Sequence, residues 1–142
     1  MPANQTAPVK RTTVVVADLT RSLAFYRDLL GMDVFFEGDI GNPGASGVTA
    51  VDCEDLRMVV LSVAGSELGM VGLMEIHGVK PPLAATQWDK RLKTGEAILV
   101  IPTENMQSLH EKMVAAGVCV VTPPTRIVVP GRPEIHEMMV RD

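Results

Sequence analysis

The stretch TTVVVADLTRSLAFYRDLLGMDV, residues 12–34, decides the fold of this chain. Its first five residues are almost all β-branched, which favours a strand over a helix. Asp18 then offers a side-chain oxygen as a helix N-cap. Apolar residues follow at helical spacing: Leu19, Leu23, Tyr26 and Leu30. Gly31 follows the last apolar turn, where a left-handed residue often ends a helix, and a second strand begins near Val34. The stretch therefore predicts a strand, a helix and a second strand.

The same pattern returns later in the chain. Residues 97–101 read as a strand, Thr103 as an N-cap, and residues 118–121 as the next strand. The helix between them is predicted from an apolar stripe formed by Met106, Leu109, Met113 and Ala116. Gly117 ends it, 86 residues after Gly31. A repeated strand, helix and strand at a nearly constant offset predicts an internal duplication.

Between the two copies, residues 37–47 are rich in Gly, Pro, Asn and Asp and are expected to form a loop or an open turn. Three apolar runs follow and are predicted to be strands: residues 48–53, 56–63 and 71–77. Residues 134–142 are predicted to be the last strand. The predicted organisation has four parts: a flexible arm (1–10), a first module (11–78), a linker with a short helix (79–94) and a second module without its last strand (95–142).

Composition excludes several classes of protein. The chain has 142 residues, of which 46% are hydrophobic and 21% charged, as expected for a globular domain. A net charge of -4 without a basic run argues against nucleic acid, and no stretch predicts a membrane span or a signal peptide. Cys53 and Cys119 lie in apolar runs, which favours two buried, reduced thiols in a cytoplasmic protein over a disulfide.

The pattern VxDLxRSLxFYRDLLGM, residues 16–32, resembles the opening of the vicinal oxygen chelate superfamily. This superfamily includes glyoxalase I, bleomycin-resistance proteins and extradiol dioxygenases. The resemblance implies an α+β fold of two βαβββ modules that form a curved mixed sheet around a cleft. The second module is expected to be incomplete, and its unpaired sheet edge favours a homodimer.

In metal-dependent members of the superfamily, the ligands come from the first and last strands of each module. By resemblance, these positions fall on Arg11, Glu75 and Glu96, and the fourth would lie in the missing strand. Arginine cannot ligate a metal, because it has only donors and stays protonated. Either Glu75 and Glu96 hold a divalent metal, or the Arg11 guanidinium takes the place of the metal and pairs with both carboxylates. A third alternative leaves Arg11 and Glu96 as solvated charges.

His77 lies two residues after Glu75 in an extended run, so both side chains should emerge on the same face. It is the predicted general base, with a surface histidine as the alternative. Arg11, Met58, Met74 and Trp88 are predicted to contact a ligand; for the two methionines and the tryptophan, ordinary core packing is the alternative.

Two functions remain open. One is a glyoxalase-like lyase or isomerase, or a dioxygenase, acting on a small oxygenated molecule with Glu75, His77 and Glu96 as catalytic residues and a divalent metal as cofactor. The other is a metal-free protein that sequesters a ligand in an apolar cleft.

Overall fold

The computed structural model describes residues 7–80, 82–83 and 91–142. Its elements in chain order are β1 (Arg11–Val15), α1 (Leu19–Leu23), a π-helical segment (Ala24–Leu29), β2 (Asp33–Gly41), α2 (Gly44–Thr49), β3 (Asp55–Ser62), β4 (Met70–His77), α3 (Met106–Ala115), β5 (Cys119–Ile127) and β6 (Ile135–Arg141). The chain divides into two compact units, Met1–Ala85 and Thr86–Asp142. The predicted α+β class is confirmed. Within the described ranges, no helix is long and apolar enough to cross a membrane.

The first unit is built on a mixed four-stranded sheet with the order β1-β4-β3-β2. Strand β1 runs parallel to β4, whereas β3 is antiparallel to both β4 and β2. Because side chains alternate along a strand, the register assigns every residue to one of two faces. The helix face, which α1 covers, carries Arg57, Val59, Leu61, Val71, Leu73, Glu75 and His77. The Arg11 face carries Arg11, Thr13, Val15, Leu56, Met58, Val60, Met70, Gly72, Met74 and Ile76.

The opening stretch folds as its sequence predicts. The Asp18 carboxylate accepts a hydrogen bond of 3.0 Å from the backbone N–H of Arg21, which confirms the N-cap. Gly31 ends the helical region with a φ of 73°, a left-handed conformation that suits glycine. The rings of Phe25 and Tyr26 are buried and meet edge to face, with centroids 4.9 Å apart.

Two predictions between β2 and β3 are wrong. Residues 37–41 belong to β2, because the pairing with β3 continues as far as Gly41. Residues 48–53 are not a strand but the end of α2 and the turn after it. Helix α2 forms here because Ala45, fully buried, anchors it to the core cluster that contains Leu56 and Met58. The Asn42 amide oxygen also accepts a hydrogen bond of 3.0 Å from the N–H of Ser46, within the first turn of α2.

In the second unit, helix α3 and a hairpin of β5 and β6 are formed. The N-cap of α3 is Asn105 rather than the predicted Thr103, because the Asn105 side chain accepts from the N–H of Ser108 at 3.0 Å. Gly117 follows the helix at a φ of 75°, as predicted. The predicted strand at residues 97–101 is wrong, since this segment joins no sheet among the described residues.

The hairpin contains two features that the sequence did not indicate. Strand β5 continues through Pro123 and Pro124, and two register shifts against β6 accommodate these residues, which have no N–H to donate. Cys119, predicted to be buried, is exposed at the start of β5, whereas Cys53 is buried as predicted.

Candidate functional site

Three ionisable side chains lie in a row on the helix face, at the end of the β3–β4 hairpin. Strand β4 presents Glu75 and His77 two residues apart, which confirms that they emerge on the same face, and the register places Asp55 of β3 directly opposite His77. The His77 Nε2 lies 2.6 Å from Glu75 Oε1, and its Nδ1 lies 2.5 Å from Asp55 Oδ1. The imidazole ring therefore bridges two carboxylates.

Helix α1 contacts this row of side chains at Glu75. The backbone N–H of Leu19, in the first turn of α1, donates to Glu75 Oε2 at 2.6 Å. A carboxylate at this position satisfies an N–H that has no partner within the helix and is favoured by the helix dipole. The hydrogen bond from His77, followed by the one from Leu19, lowers the pKa of Glu75. The hydrogen bonds to Glu75 and then to Asp55 raise the pKa of His77.

These contacts decide what the cluster can do chemically. Both ring nitrogens of His77 are occupied by carboxylates, so neither offers a lone pair to a metal ion or to a substrate proton. Each oxygen of Glu75 already accepts one hydrogen bond, from His77 or from the N–H of Leu19. The Asp55, His77 and Glu75 side chains form a closed network that ties the β3–β4 hairpin to helix α1.

Arg11 lies on the other side of the sheet. It pairs with Met70 at the start of β4, and Glu75 lies five residues further along that strand, so the two side chains belong to opposite faces and opposite ends. The predicted ion pair between Arg11 and Glu75 is therefore wrong. The Arg11 side chain instead passes over Gly72: a Cβ built on Gly72 would lie 3.1 Å from Arg11 Cδ and 2.8 Å from Thr13 Oγ1.

Glu96, in the second unit, has a different partner from the one predicted. Its carboxylate lies 3.1 Å from the Nη2 of Arg141 in β6. Both side chains are mostly buried, with 16% and 11% of their surfaces exposed, so this ion pair is screened little by solvent. The carboxylate predicted to meet Arg11 is thus neutralised by an arginine of its own unit.

The three remaining predicted contacts fare differently. Met58 is 6% exposed and belongs to the core cluster of the first unit, and Met74 is half-buried against that cluster. Trp88 lies outside the described residues. An open depression of about 570 Å³ is present in the first unit, lined by Val9, Lys10, Arg11, Thr13 and Met70.

Sequence reasoning missed Thr13, Gly72 and Asp55. A glycine inside an apolar strand such as β4 is a signal that something approaches the backbone closely, and Gly72 could have been found in this way. Thr13 and Asp55 carried no comparable signal, because their importance depends on which residues the register places opposite them.

The predicted donors do not fit a metal ion. In the parts of the chain that the structure describes, no three His, Cys, Asp or Glu side chains are grouped so that they could hold one. Of the predicted positions in the first unit, one is a cation and the other two are carboxylate and imidazole groups that bind each other.

The order of elements in the first unit, with its mixed sheet and a helix on one face, defines a glyoxalase-like fold. The chain belongs to the glyoxalase/bleomycin resistance protein/dioxygenase superfamily, whose family model matches residues 9–135. This confirms the resemblance seen in residues 16–32. Among curated proteins, none matches the chain significantly.

Solved structures with the same fold share little sequence with this chain. The trypanothione-dependent glyoxalase I from Leishmania major is 22% identical, with 92% of this chain and 85% of that one covered and a TM-score of 0.60. A glyoxalase family protein from Bacillus cereus is 15% identical, with 90% and 84% covered and a TM-score of 0.67. A mutant of the genomically encoded fosfomycin resistance protein from Listeria monocytogenes, complexed with Mn(II) and 1S,2S-dihydroxypropylphosphonic acid, is 16% identical, with 94% and 85% covered and a TM-score of 0.50.

Proposed function

We propose that this chain is a metal-free binding protein of the superfamily, which takes a small oxygenated organic molecule on the Arg11 face of its first unit. The observation that carries the proposal is the separation of the predicted site residues by the sheet. Glu75 and His77, the groups that would hold a metal or move a proton, point to the helix face and bind each other. Arg11 lies on the opposite face and borders the open depression.

An enzyme of the glyoxalase or dioxygenase type would need a metal ion or a free acid or base beside its substrate. On the Arg11 face, β1 and β4 carry an arginine, a threonine, a glycine and apolar residues, and none of these is a carboxylate or imidazole that could hold a divalent metal or act as a general base near neutral pH. Binding without catalysis is the function that this set of side chains supports.

The size and chemistry of the depression agree with a small ligand. Its volume of about 570 Å³ falls within the usual range of roughly 300–1,000 Å³ for small-molecule sites. Lys10, Arg11 and Thr13 border it together with the apolar Val9 and Met70, so the lining is largely polar, which suits an oxygen-bearing molecule with a small apolar part. The Listeria protein is complexed with an oxygen-rich small molecule, a dihydroxypropylphosphonic acid, together with Mn(II).

Metal analysis and ligand screening test this proposal together. Protein purified without chelators or an affinity metal is expected to hold no stoichiometric metal, and nickel, zinc, manganese and ferrous iron should leave the melting temperature unchanged. Small oxygenated organic compounds should raise the melting temperature with increasing concentration, as ligand linkage requires. A stoichiometric metal that is lost in the Glu75→Gln variant would overturn the proposal.

A homodimer in a reducing, cytoplasmic location remains part of the proposal. Strands β1 and β2 are the two edges of the four-stranded sheet, and an edge strand offers unpaired N–H and C=O groups to a second copy. Light scattering is expected to give twice the monomer mass of 15.3 kDa. Alkylation under denaturing, non-reducing conditions should modify both Cys53 and Cys119.

A further inference from the structure

We propose that Arg11 and Thr13, which pack side by side over Gly72 and border the open depression, form a recognition site for an organic carboxylate, so that the ligand class is a small carboxylic acid with an apolar body. This inference rests on the proposed function and adds the chemical group that the site reads. Its elements are an exposed cation, a hydroxyl group beside it and the open depression that both border.

The positive charge of Arg11 is not balanced by a neighbouring carboxylate in the described part of the chain. Arg11 is exposed, and among the described residues it has no carboxylate partner. Two of the other arginines of the first unit do have one: Arg27 contacts Asp28 at 2.7 Å, and Arg57 contacts Glu37. On the Arg11 face, no residue of β1 or β4 is acidic. The guanidinium therefore retains its capacity to bind an external anion.

Arg11 and Thr13 lie close together over Gly72. The Arg11 Cδ and the Thr13 Oγ1 both lie within about one van der Waals contact of the space that a Gly72 side chain would fill. A planar guanidinium can donate two parallel hydrogen bonds to a carboxylate, and a neighbouring hydroxyl can donate a third. Because Gly72 has no side chain, the Arg11 and Thr13 side chains can both lie against the strand there, which places the hydroxyl group beside the guanidinium.

The other residues that line the depression indicate what the rest of the ligand is. Met70 and Val9 line the depression with Arg11 and Thr13, and Val9 is exposed. The neighbouring cation, Lys10, contacts Glu67 at 3.2 Å, so its charge is already partly balanced. One guanidinium with an apolar border fits a monocarboxylate better than a phosphate dianion, which would require more positive charge.

The test uses three pairs of probes that differ only in charge: phenylacetate, indole-3-acetate and octanoate, each against its neutral amide. Binding is followed by NMR of the full chain with ¹³C-labelled methionine methyl groups. The signals of Met70 and Met74 report on the site, and that of Met113, buried in the second unit, serves as an internal reference. We expect the acids to shift the Met70 and Met74 signals, and the amides to bind about tenfold more weakly or less.

Four variants test whether Arg11 is the residue that binds the carboxylate. Arg11→Met should weaken acid binding by about tenfold or more, and Thr13→Val by about threefold. Gly72→Ala should weaken it because the added Cβ would lie 2.8 Å from Thr13 Oγ1 and 3.1 Å from Arg11 Cδ and so displace both donors, whereas the backbone φ of Gly72 is one that alanine can adopt. Arg21→Met, which removes the same charge from an exposed position on helix α1, should leave acid binding unchanged.

The outcomes separate the inference from the proposed function. If acids and amides shift the Met70 and Met74 signals with equal affinity, or if Arg11→Met binds as the wild type does, the inference is wrong and metal-free binding stands. If none of the six probes moves these signals, the inference is wrong, and the metal analysis and the wider ligand screen decide the proposed function separately. Should Arg11→Met fail to fold, Arg11→Lys and the comparison of acid with amide on the wild-type protein still decide the question.

Discussion

Replacing Glu75 with glutamine tests whether the closed network on the helix face stabilises the protein. The carboxylate makes two short contacts of 2.6 Å, one with His77 and one with the N–H of Leu19. Glutamine has nearly the same shape but no charge, so both hydrogen bonds lose their ionic part and the amide NH₂ group faces a donor. The substitution should therefore destabilise the fold without creating a cavity.

The magnitude follows from the contacts and their exposure. A hydrogen bond to a charged group contributes roughly 1.5–3 kcal/mol when it is well shielded. Glu75 and His77 are 25% and 41% exposed, so solvent screens part of this interaction. We expect a loss of about 1.5 kcal/mol in the free energy of unfolding, which lowers the melting temperature of a chain of this length by about 5 °C.

Differential scanning calorimetry near pH 5.5 is the appropriate assay, with Glu67→Gln as the matched control. Glu67 carries the same charge and contacts Lys10 at 3.2 Å, but its side chain is 66% exposed. An exposed pair of this kind contributes about 0.5 kcal/mol or less. Equal melting temperatures for Glu75→Gln and Glu67→Gln would refute the assignment of a stabilising network to Glu75.

Three further predictions concern pH and packing. Calorimetry across pH should show the largest difference in stability between the wild type and Glu75→Gln between about pH 4.5 and 6.5. The pKa of Glu75 is lowered, so its contribution is lost as pH falls through the folded value, and the pKa of His77 is raised, so its contribution is lost as pH rises through the folded value. A difference that stays constant from about pH 3 to 9 would contradict the network. Leu73→Ala should cost about 2–5 kcal/mol in urea unfolding, because Leu73 is fully buried; a loss below about 1 kcal/mol would mean that the core can collapse around the cavity. Asn105→Ala should cost about 1 kcal/mol through loss of the cap on α3, measured in the same way, whereas Asn105→Asp, which keeps the acceptor, should not.

The parts of the fold that local chemistry determines could be predicted from the sequence. The Asp18 cap and the left-handed glycines at the ends of both helical regions depend on a few neighbouring residues. Residues 48–53 failed for the opposite reason. Their β-branched side chains favour a strand locally, but burial of Ala45 against the core of the first unit selects a helix that ends at Thr49.

The candidate site was misjudged because side-chain direction depends on register. The family pattern placed Arg11 and Glu75 in one site, and the sequence offers no means of checking how β1 pairs with β4. The observed pairing aligns Arg11 with Met70 and brings its side chain over Gly72, while Glu75 faces the opposite side. A difference of one residue along a strand exchanges the faces, so a correct list of polar residues can still describe a site that does not form.

Arg11 and Glu75 of the same unit do not neutralise each other, because they lie on opposite faces and at opposite ends of the strands. Glu75 is five residues beyond Met70, the partner of Arg11, which is roughly 16 Å along the strand and beyond the reach of the guanidinium. Because Glu75 is instead committed to His77 and to helix α1, stability and ligand recognition use different faces and different charges. Glu75→Gln should therefore lower the melting temperature and leave acid binding unchanged, whereas Arg11→Met should weaken acid binding by about tenfold or more with little loss of stability. A single variant that changed both properties equally would mean that the two faces are energetically coupled.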